Sequence, residues 1–287
     1  MFALMSVVWG VPYLLIKIAV RDLSPPAIVE ARTAIGAAIL LPLAARQGQL
    51  RALVRVWKPF LAYTVAELAI PWLLLSDAER RLPSSFTGLL VATVPLFGVL
   101  LAFATRHQDR LDRRGMMGLG VGLAGVALLL GFNVHGDGFS VLEVIVVAAG
   151  YATGPLLAAR YFRDLSSLAL SAVSLALVAL IYLPVLAAWP PAHAPRGGAI
   201  ASVVVLGVIC TALAFVAFFE LIKEVGSTRA TVITYLNPAV AVVLGVALLG
   251  EPFGFSTGAG FALILVGSWF STRSRAPIER LGQPQTP

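Results

Sequence analysis

The chain is poor in charge and nearly devoid of sulfur and imidazole chemistry. Of its 287 residues 12% are charged, one is cysteine and three are histidine. Soluble domains are about 25% charged. With 59% hydrophobic residues and a mean hydropathy of +0.91, the chain holds more apolar side chain than a water-soluble domain of this size can bury. A single soluble domain, a disordered chain and a fibrous repeat are all excluded. The lone Cys210 rules out an intramolecular disulfide and a cysteine-rich metal site, and reads as a small apolar residue in a helix. His107, His135 and His193 fall in segments that read as loops. No HExxH, GxSxG, P-loop or paired-histidine spacing occurs, so nothing points to hydrolysis, metal catalysis, nucleotide binding or a cofactor.

What the sequence does contain is long uncharged runs between charge clusters and Pro/Gly breaks. They predict an all-α integral membrane protein with ten transmembrane helices near 2–20, 27–45, 59–76, 84–104, 115–132, 139–159, 166–188, 199–222, 229–249 and 255–272. Each is long enough to cross ~30 Å of hydrocarbon at ~1.5 Å per residue. The first run has no basic region before it and no small-residue cleavage site, so it reads as a retained span rather than a signal peptide.

The net charge of +7 is a topology signal. One set of connections carries fifteen basic residues: Arg46, Arg51, Arg55, Lys58, Arg106, Arg110, Arg113, Arg114, Arg160, Arg163, Lys223, Arg229, Arg273, Arg275 and Arg280. The opposite set carries four, Arg21, Arg80, Arg81 and Arg196. Basic loops resist translocation, so both termini are expected in the cytoplasm of a bacterial inner membrane. Basic residues dispersed over several loops do not form a nucleic-acid groove.

The chain also repeats itself. Arg21-Asp22-Leu23-Ser24 recurs as Arg163-Asp164-Leu165-Ser166, and Pro42 as Pro184, at a spacing of 142. Pro12 pairs with Pro155 and Pro95 with Pro238 at 143, and Gly118 and Gly125 pair with Gly260 and Gly267 at 142. The repeats are placed at 1–135 and 136–273, followed by a disordered cytoplasmic tail at 274–287. Five spans per half is an odd number, so the second copy enters the membrane from the opposite side. Such inverted repeats typically hold a substrate site at the bilayer midplane and open it alternately to each side.

Candidate path residues follow from the cost of polar groups in lipid. Prolines inside spans free backbone carbonyls and mark Pro12, Pro71, Pro95, Pro155 and Pro238 as candidate hinges. Glu67 is near mid-depth in a run otherwise free of charge, and a carboxyl there suits proton exchange or a structural pair with another helix. Lys17 reads either as a snorkelling anchor or as a vestibule cation that attracts a carboxylate or pairs with Glu30; Arg32 is placed in the outer part of the second span. Glu143 and Glu220 read as headgroup-level residues. Trp9 and Tyr13 share a helix face with Lys17. Trp72, Phe215 and Phe219, Tyr235 and Asn237 add aromatic and amide lining, whereas Trp57, Trp189 and Trp269 suit the interfacial belt. Gly118, Gly122 and Gly125 form a small-residue face that packs inside a monomer or, alternatively, in a homodimer. An aromatic cavity with one cation and one carboxylate would suit a small amphipathic or zwitterionic solute.

These residues resemble the drug/metabolite transporter superfamily, in particular its ten-helix members with two EamA-type repeats. Trp9-Gly10-Val11-Pro12-Tyr13-Leu14-Leu15-Ile16-Lys17 is similar to the family's "WG…K" first helix, and Ser24-Pro25-Pro26 leading to Arg32 to its second-helix entry. Pro95, Pro238 and the Gly250-Glu251 that closes the ninth helix match in order and spacing, and the resemblance runs from Met1 to Arg273. The first half departs from it, with Thr105-Arg106-His107-Gln108 where a second "GE" would stand. The resemblance implies an inner-membrane exporter of small metabolites such as amino acids, nucleosides or foreign compounds, with a cavity bounded by helices other than the fifth and tenth.

The expectation is therefore a secondary exporter working by alternating access, proton-coupled through Glu67, with a lipid bilayer and a small solute as its partners. The rival within transport is an uncoupled facilitator or solute exchanger. The remote alternative, an integral-membrane enzyme or receptor, would need a cluster of reactive side chains at one depth or a sizeable soluble domain, and the longest connections are only about a dozen residues.

Overall fold

The computed structural model describes residues 2–46, 53, 55–104, 113–133, 137–190, 193–225 and 233–273. Among the described residues there is helix and no strand. The first group of elements is α1 (Phe2–Ala19), α2 (Pro25–Arg46), α3 (Trp57–Thr64), a π-turn π1 (Val65–Ala69), α4 (Ile70–Arg81), α5 (Ser84–Val91), α6 (Val94–Ala104) and α7 (Arg113–Asn133). The second is α8 (Gly138–Tyr161), α9 (Ser167–Ala188), α10 (Gly197–Gly207), a π-turn π2 (Val208–Leu213), α11 (Ala214–Val225), α12 (Ile233–Leu249) and α13 (Phe255–Arg273).

Seven helical runs are long and apolar enough to cross a membrane: Pro25–Arg46, Trp57–Arg81, Ser84–Leu101, Arg113–Leu130, Gly138–Tyr161, Ser167–Ala188 and Gly197–Leu221. Ala3–Ala19, Leu236–Leu249 and Phe255–Phe270 are shorter apolar helices. The outside of the bundle is apolar, with Leu180, Met117 and Phe255 all largely exposed. This is the distribution a lipid-facing surface needs, and water would disfavour it.

Local sequence explains the boundaries. α2 opens on Pro25-Pro26, where missing N–H groups cost nothing. Asp137 caps α8 by accepting from the Ser140 N–H, and Ser166 caps α9 by accepting from that of Ala169. π1 ends at Ala69, two residues before Pro71. The proline has no N–H for the Glu67 carbonyl four residues earlier, and its ring would press on that carbonyl, so one wider turn relieves the conflict. Gly250, at φ 66°, ends α12 in the left-handed region that glycine adopts without penalty.

The third span differs from its expected extent. Asp77, Glu79, Arg80 and Arg81 look like a loop in sequence, yet the helix runs on to Arg81. Arg80 and Arg81 pair back onto Asp77 within the helix, while Glu79 turns inward and is fully buried.

The helices pack as α2 on α9, α7 on α13, α1 on α12 and α10, and α4 on α8. The α7–α13 contact is made backbone to backbone through glycine. A Cβ on Gly125 would sit 2.8 Å from the Gly260 carbonyl oxygen, and one on Gly267 would sit 2.6 Å from that of Gly118. The small-residue face of α7 therefore packs inside the chain, against α13. Gly267→Val forces these backbones apart, and we expect about 1–3 kcal/mol of destabilisation. The measurement is the Tm of the detergent-purified protein; a Tm equal to wild type would contradict the contact.

Candidate functional site

Five elements bring polar side chains together in the interior. Arg32 of α2 is buried, and its guanidinium carbon lies 3.7 Å from the ring centroid of Trp72 on α4. Its Nε donates to Thr211 Oγ1 of π2 at 2.8 Å. Tyr13 of α1 packs with Cys210 of π2 and Tyr151 of α8. Both tyrosines lie within electrostatic reach of Arg32 and of the Glu79 carboxylate. The seam thus joins residues of the N-terminal half with π2 and α8.

Glu67 occupies π1. The turn rests on Gly150 and Gly154 of α8: a Cβ at Gly150 would meet the Ala66 carbonyl, and one at Gly154 would overlap the Glu67 carboxyl group. This G-x-x-x-G surface lets the widened turn approach the neighbouring backbone. Glu67 Oε2 is buried without a hydrogen-bond partner.

The seam ends in a second cluster where α1 and α4 finish. Lys17 Nζ donates to the carbonyls of Glu79 (2.6 Å) and Leu82 (2.8 Å), closing the C-terminus of α4. The Glu79 carboxylate is buried with neither oxygen hydrogen-bonded. Glu251 reaches across from the end of α12 to the start of α5. It accepts from the Ser84 N–H (2.7 Å), the Ser84 hydroxyl (3.0 Å) and the Ser85 N–H (2.8 Å). At the same end Asp22 and Arg196 pair at 2.7 Å, and Arg81 binds Asp77, Asp137 and Glu143 at 2.7–2.8 Å. Hydrogen bonds from Arg196 hold the Asp22 carboxyl below its ordinary range.

The sequence-predicted residues are placed as follows. Trp9 packs edge-on to Phe215 (6.3 Å between centroids) and against Phe218 (4.6 Å), and Phe215 stacks on Phe219 at 6.0 Å. Tyr13 and Trp72 belong to the seam. Lys17 bonds to backbone carbonyls instead of pairing with Glu30. With its amide oriented to satisfy both bonds, Asn237 donates to the carbonyls of Ile233 (2.9 Å) and Ser6 (3.3 Å), tying α12 to α1. Pro12, Pro155 and Pro238 lie inside α1, α8 and α12, Pro71 stands at the start of α4 and Pro95 near the start of α6. The side chain of Tyr235, with His107 and His135, lies outside the described residues.

Sequence reasoning left Arg32, Glu79 and Thr211 out of the site. Once the helix is known to run past Ser76, Glu79 continues the inward face of Trp72, Leu75 and Ser76, all buried at helical spacing.

The family model described as "EamA-like transporter family" matches residues 1–131 and 138–273. The chain is 27% identical over 254 residues to the "Uncharacterized inner membrane transporter YedA" of Escherichia coli (strain K12), covering 88% of this chain and 82% of that one. It is 24% identical over 282 residues to an "Uncharacterized transporter" of Archaeoglobus fulgidus, covering 95% and 98%. It is 31% identical over 185 residues to the "Probable terminal-alkyne amino-acid exporter" of Streptantibioticus cattleyicolor, covering 62% and 60%. A solved structure superposes with a TM-score of 0.68 at 22% identity over 95% of each chain, which shows a shared fold.

Glu251 lies outside the helices. Partial burial raises its carboxyl pKa, but the hydrogen bonds from Ser85 and Ser84 outweigh that and hold it below the ordinary value. Glu251→Ala should destabilise the protein by about 0.5–2 kcal/mol, as loss of a helix cap does. Because the folded-state value is depressed, the stabilisation is complete above the unfolded value of about 4.3 and fades as pH falls through the folded one. The Tm gap between wild type and variant should therefore be widest at neutral pH and close in acid; a gap that does not change with pH would contradict the cap.

Proposed function

Because the chain belongs to the EamA-like transporter family, we propose that it is a secondary transporter exporting small amphipathic metabolites, amino acids among them, across a bacterial inner membrane by alternating access. In this reading ten helices form two five-helix repeats of inverted topology, with both termini cytoplasmic. The observation that carries it is a pair of reciprocal contacts. Gly118 and Gly260 correspond at an offset of 142, as do Gly125 and Gly267, and Gly118 approaches Gly267 while Gly125 approaches Gly260. A contact that maps onto itself when the halves are exchanged is the mark of a two-fold relation. The π-turns support the same relation, since π1 begins at Val65 and π2 at Val208, 143 residues apart.

Seven long apolar runs plus three shorter apolar helices are compatible with the ten-span count, and the excess of Lys and Arg on one set of connections supports the orientation. The amino-acid component draws on the exporter named in Streptantibioticus cattleyicolor.

Energy coupling is assigned to Glu67. A π-turn places this carboxyl beside α8 with one oxygen unpartnered, and π-turns inside helices recur at functional sites. In proteoliposomes Glu67→Gln should abolish accumulation driven by a pH gradient while sparing counterflow of the same solute. Undiminished gradient-driven accumulation would reduce Glu67 to a packing residue against Gly154 and leave uncoupled exchange as the mechanism.

A further inference from the structure

We propose that Arg32 is the receptor for a carboxylate on the transported solute, so that the substrates are organic anions or zwitterions and not carboxylate-free amines or neutral compounds. This rests on the transport reading above and narrows it to one chemical class.

A guanidinium inside an apolar bundle ordinarily has an acidic partner, because an uncompensated charge there is costly. Arg32 retains only 7% of its exposure, yet among the described residues no carboxylate pairs with it. What it has instead is a mount. Trp72 lies flat beneath it at 3.7 Å, and the hydrogen bond to Thr211 fixes its Nε edge at 2.8 Å. Among the described residues that is the guanidinium's one hydrogen bond, so its terminal nitrogens are not engaged by the protein.

Stacking and a bond at Nε hold the plane of the fork without consuming its terminal N–H groups. Those groups match the two oxygens of a carboxylate, a geometry that arginine provides and lysine does not. Preorganisation of this kind lowers the ordering cost of binding. The anchors belong to opposite halves, Trp72 to the N-terminal one and Thr211 to the C-terminal one. A rocking motion that separates α2 from π2 would expose the same fork.

Lys17 is unsuited to this role, because two of its three N–H donors are committed to the carbonyls of Glu79 and Leu82. The acids within electrostatic reach of the neighbouring tyrosines are Glu79 for Tyr13, and Glu67 and Glu79 for Tyr151. Neither is bonded to Arg32, and either could face the ammonium end of a zwitterion.

The test is thermal stabilisation of the detergent-purified full chain by the proteinogenic amino acids, simple monocarboxylates and the C-terminal amides of the same amino acids. We expect stabilisation by carboxylates and none by the matching amides. Arg32→Gln should weaken apparent affinity roughly 10- to 100-fold, as loss of a charge-assisted pair does. Arg32→Lys should retain part of the response, and Thr211→Val should weaken it while keeping the charge. If Arg32→Gln does not fold, Arg32→Lys and Thr211→Val carry the comparison. The proposal is overturned if amides stabilise as well as acids, if the response survives Arg32→Gln, or if no carboxylate in the panel stabilises the wild type. Counterflow of a carboxylate-free solute by wild-type proteoliposomes would sink the Arg32 assignment and leave transport standing; absence of counterflow for every stabilising compound would sink transport itself.

Discussion

Every polar group carried into the apolar layer must be satisfied from within the protein, since lipid offers neither donors nor acceptors. That constraint explains the backbone as well as the side chains. Pro71 removes the donor that the Glu67 carbonyl would have used, and the helix answers with a wider turn that only a glycine surface on α8 can accommodate. Thr33 and Ser76 return their hydroxyls to carbonyls of their own helices, the former at 2.7 Å to Val29 and the latter at 2.7 Å to Trp72. Lys17 spends its charge on the open end of α4. Against that economy the exceptions stand out: among the described residues, Oε2 of half-buried Glu67 and both carboxyl oxygens of buried Glu79 lack a hydrogen-bond partner, and buried Arg32 makes a single hydrogen bond. Buried ionisable groups inside spans default to functional assignments because their cost must be recovered elsewhere.

The end of the bundle that holds the last turn of α1 and the first turn of α2 is closed by contacts of a different kind. Asp22 with Arg196, and Ser84 and Ser85 with Glu251, each join the N-terminal half to the C-terminal half. Glu251 is bound by two backbone N–H groups and a hydroxyl of buried serines, whereas the Asp22–Arg196 pair has one partner at the surface. Arg196 is 74% exposed, and ion pairs of such groups are weak and screened by salt. The Asp22–Arg196 pair can break and reform without unfolding any helix, as the alternating access proposed above would require.

The sequence carried the all-helical, apolar character of the chain and the place of the prolines within its helices, because those depend on composition over windows of about 20 residues. It failed where charge was read locally. Asp77, Arg80 and Arg81 looked like a loop because nothing in the chain nearby reveals that Asp137 and Glu143, some 60 residues on, accept Arg81. The same error hid Glu79, whose inward face follows only once α4 is known to continue. Arg32 was placed only by its depth in the second span, whereas its anchor Thr211 is 179 residues distant. Helical periodicity reports which face a residue occupies and is silent on which distant turn meets that face.

The positions of the polar residues also indicate which contacts can move. α7 and α13 carry ionisable side chains only in their terminal turns, at Arg113, Arg114 and Arg273, and they meet through backbone at the glycines. Where the glycines meet, backbone lies against backbone, and sliding there even slightly drives carbonyls into Cα atoms. The α2–π2 and α1–π2 interfaces are bridged instead by Arg32, Thr211, Tyr13 and Cys210, whose side chains can change rotamer. In the alternating-access cycle proposed above, the glycine contact would serve as the pivot and the seam would open, exposing the residues that the static interior leaves unsatisfied.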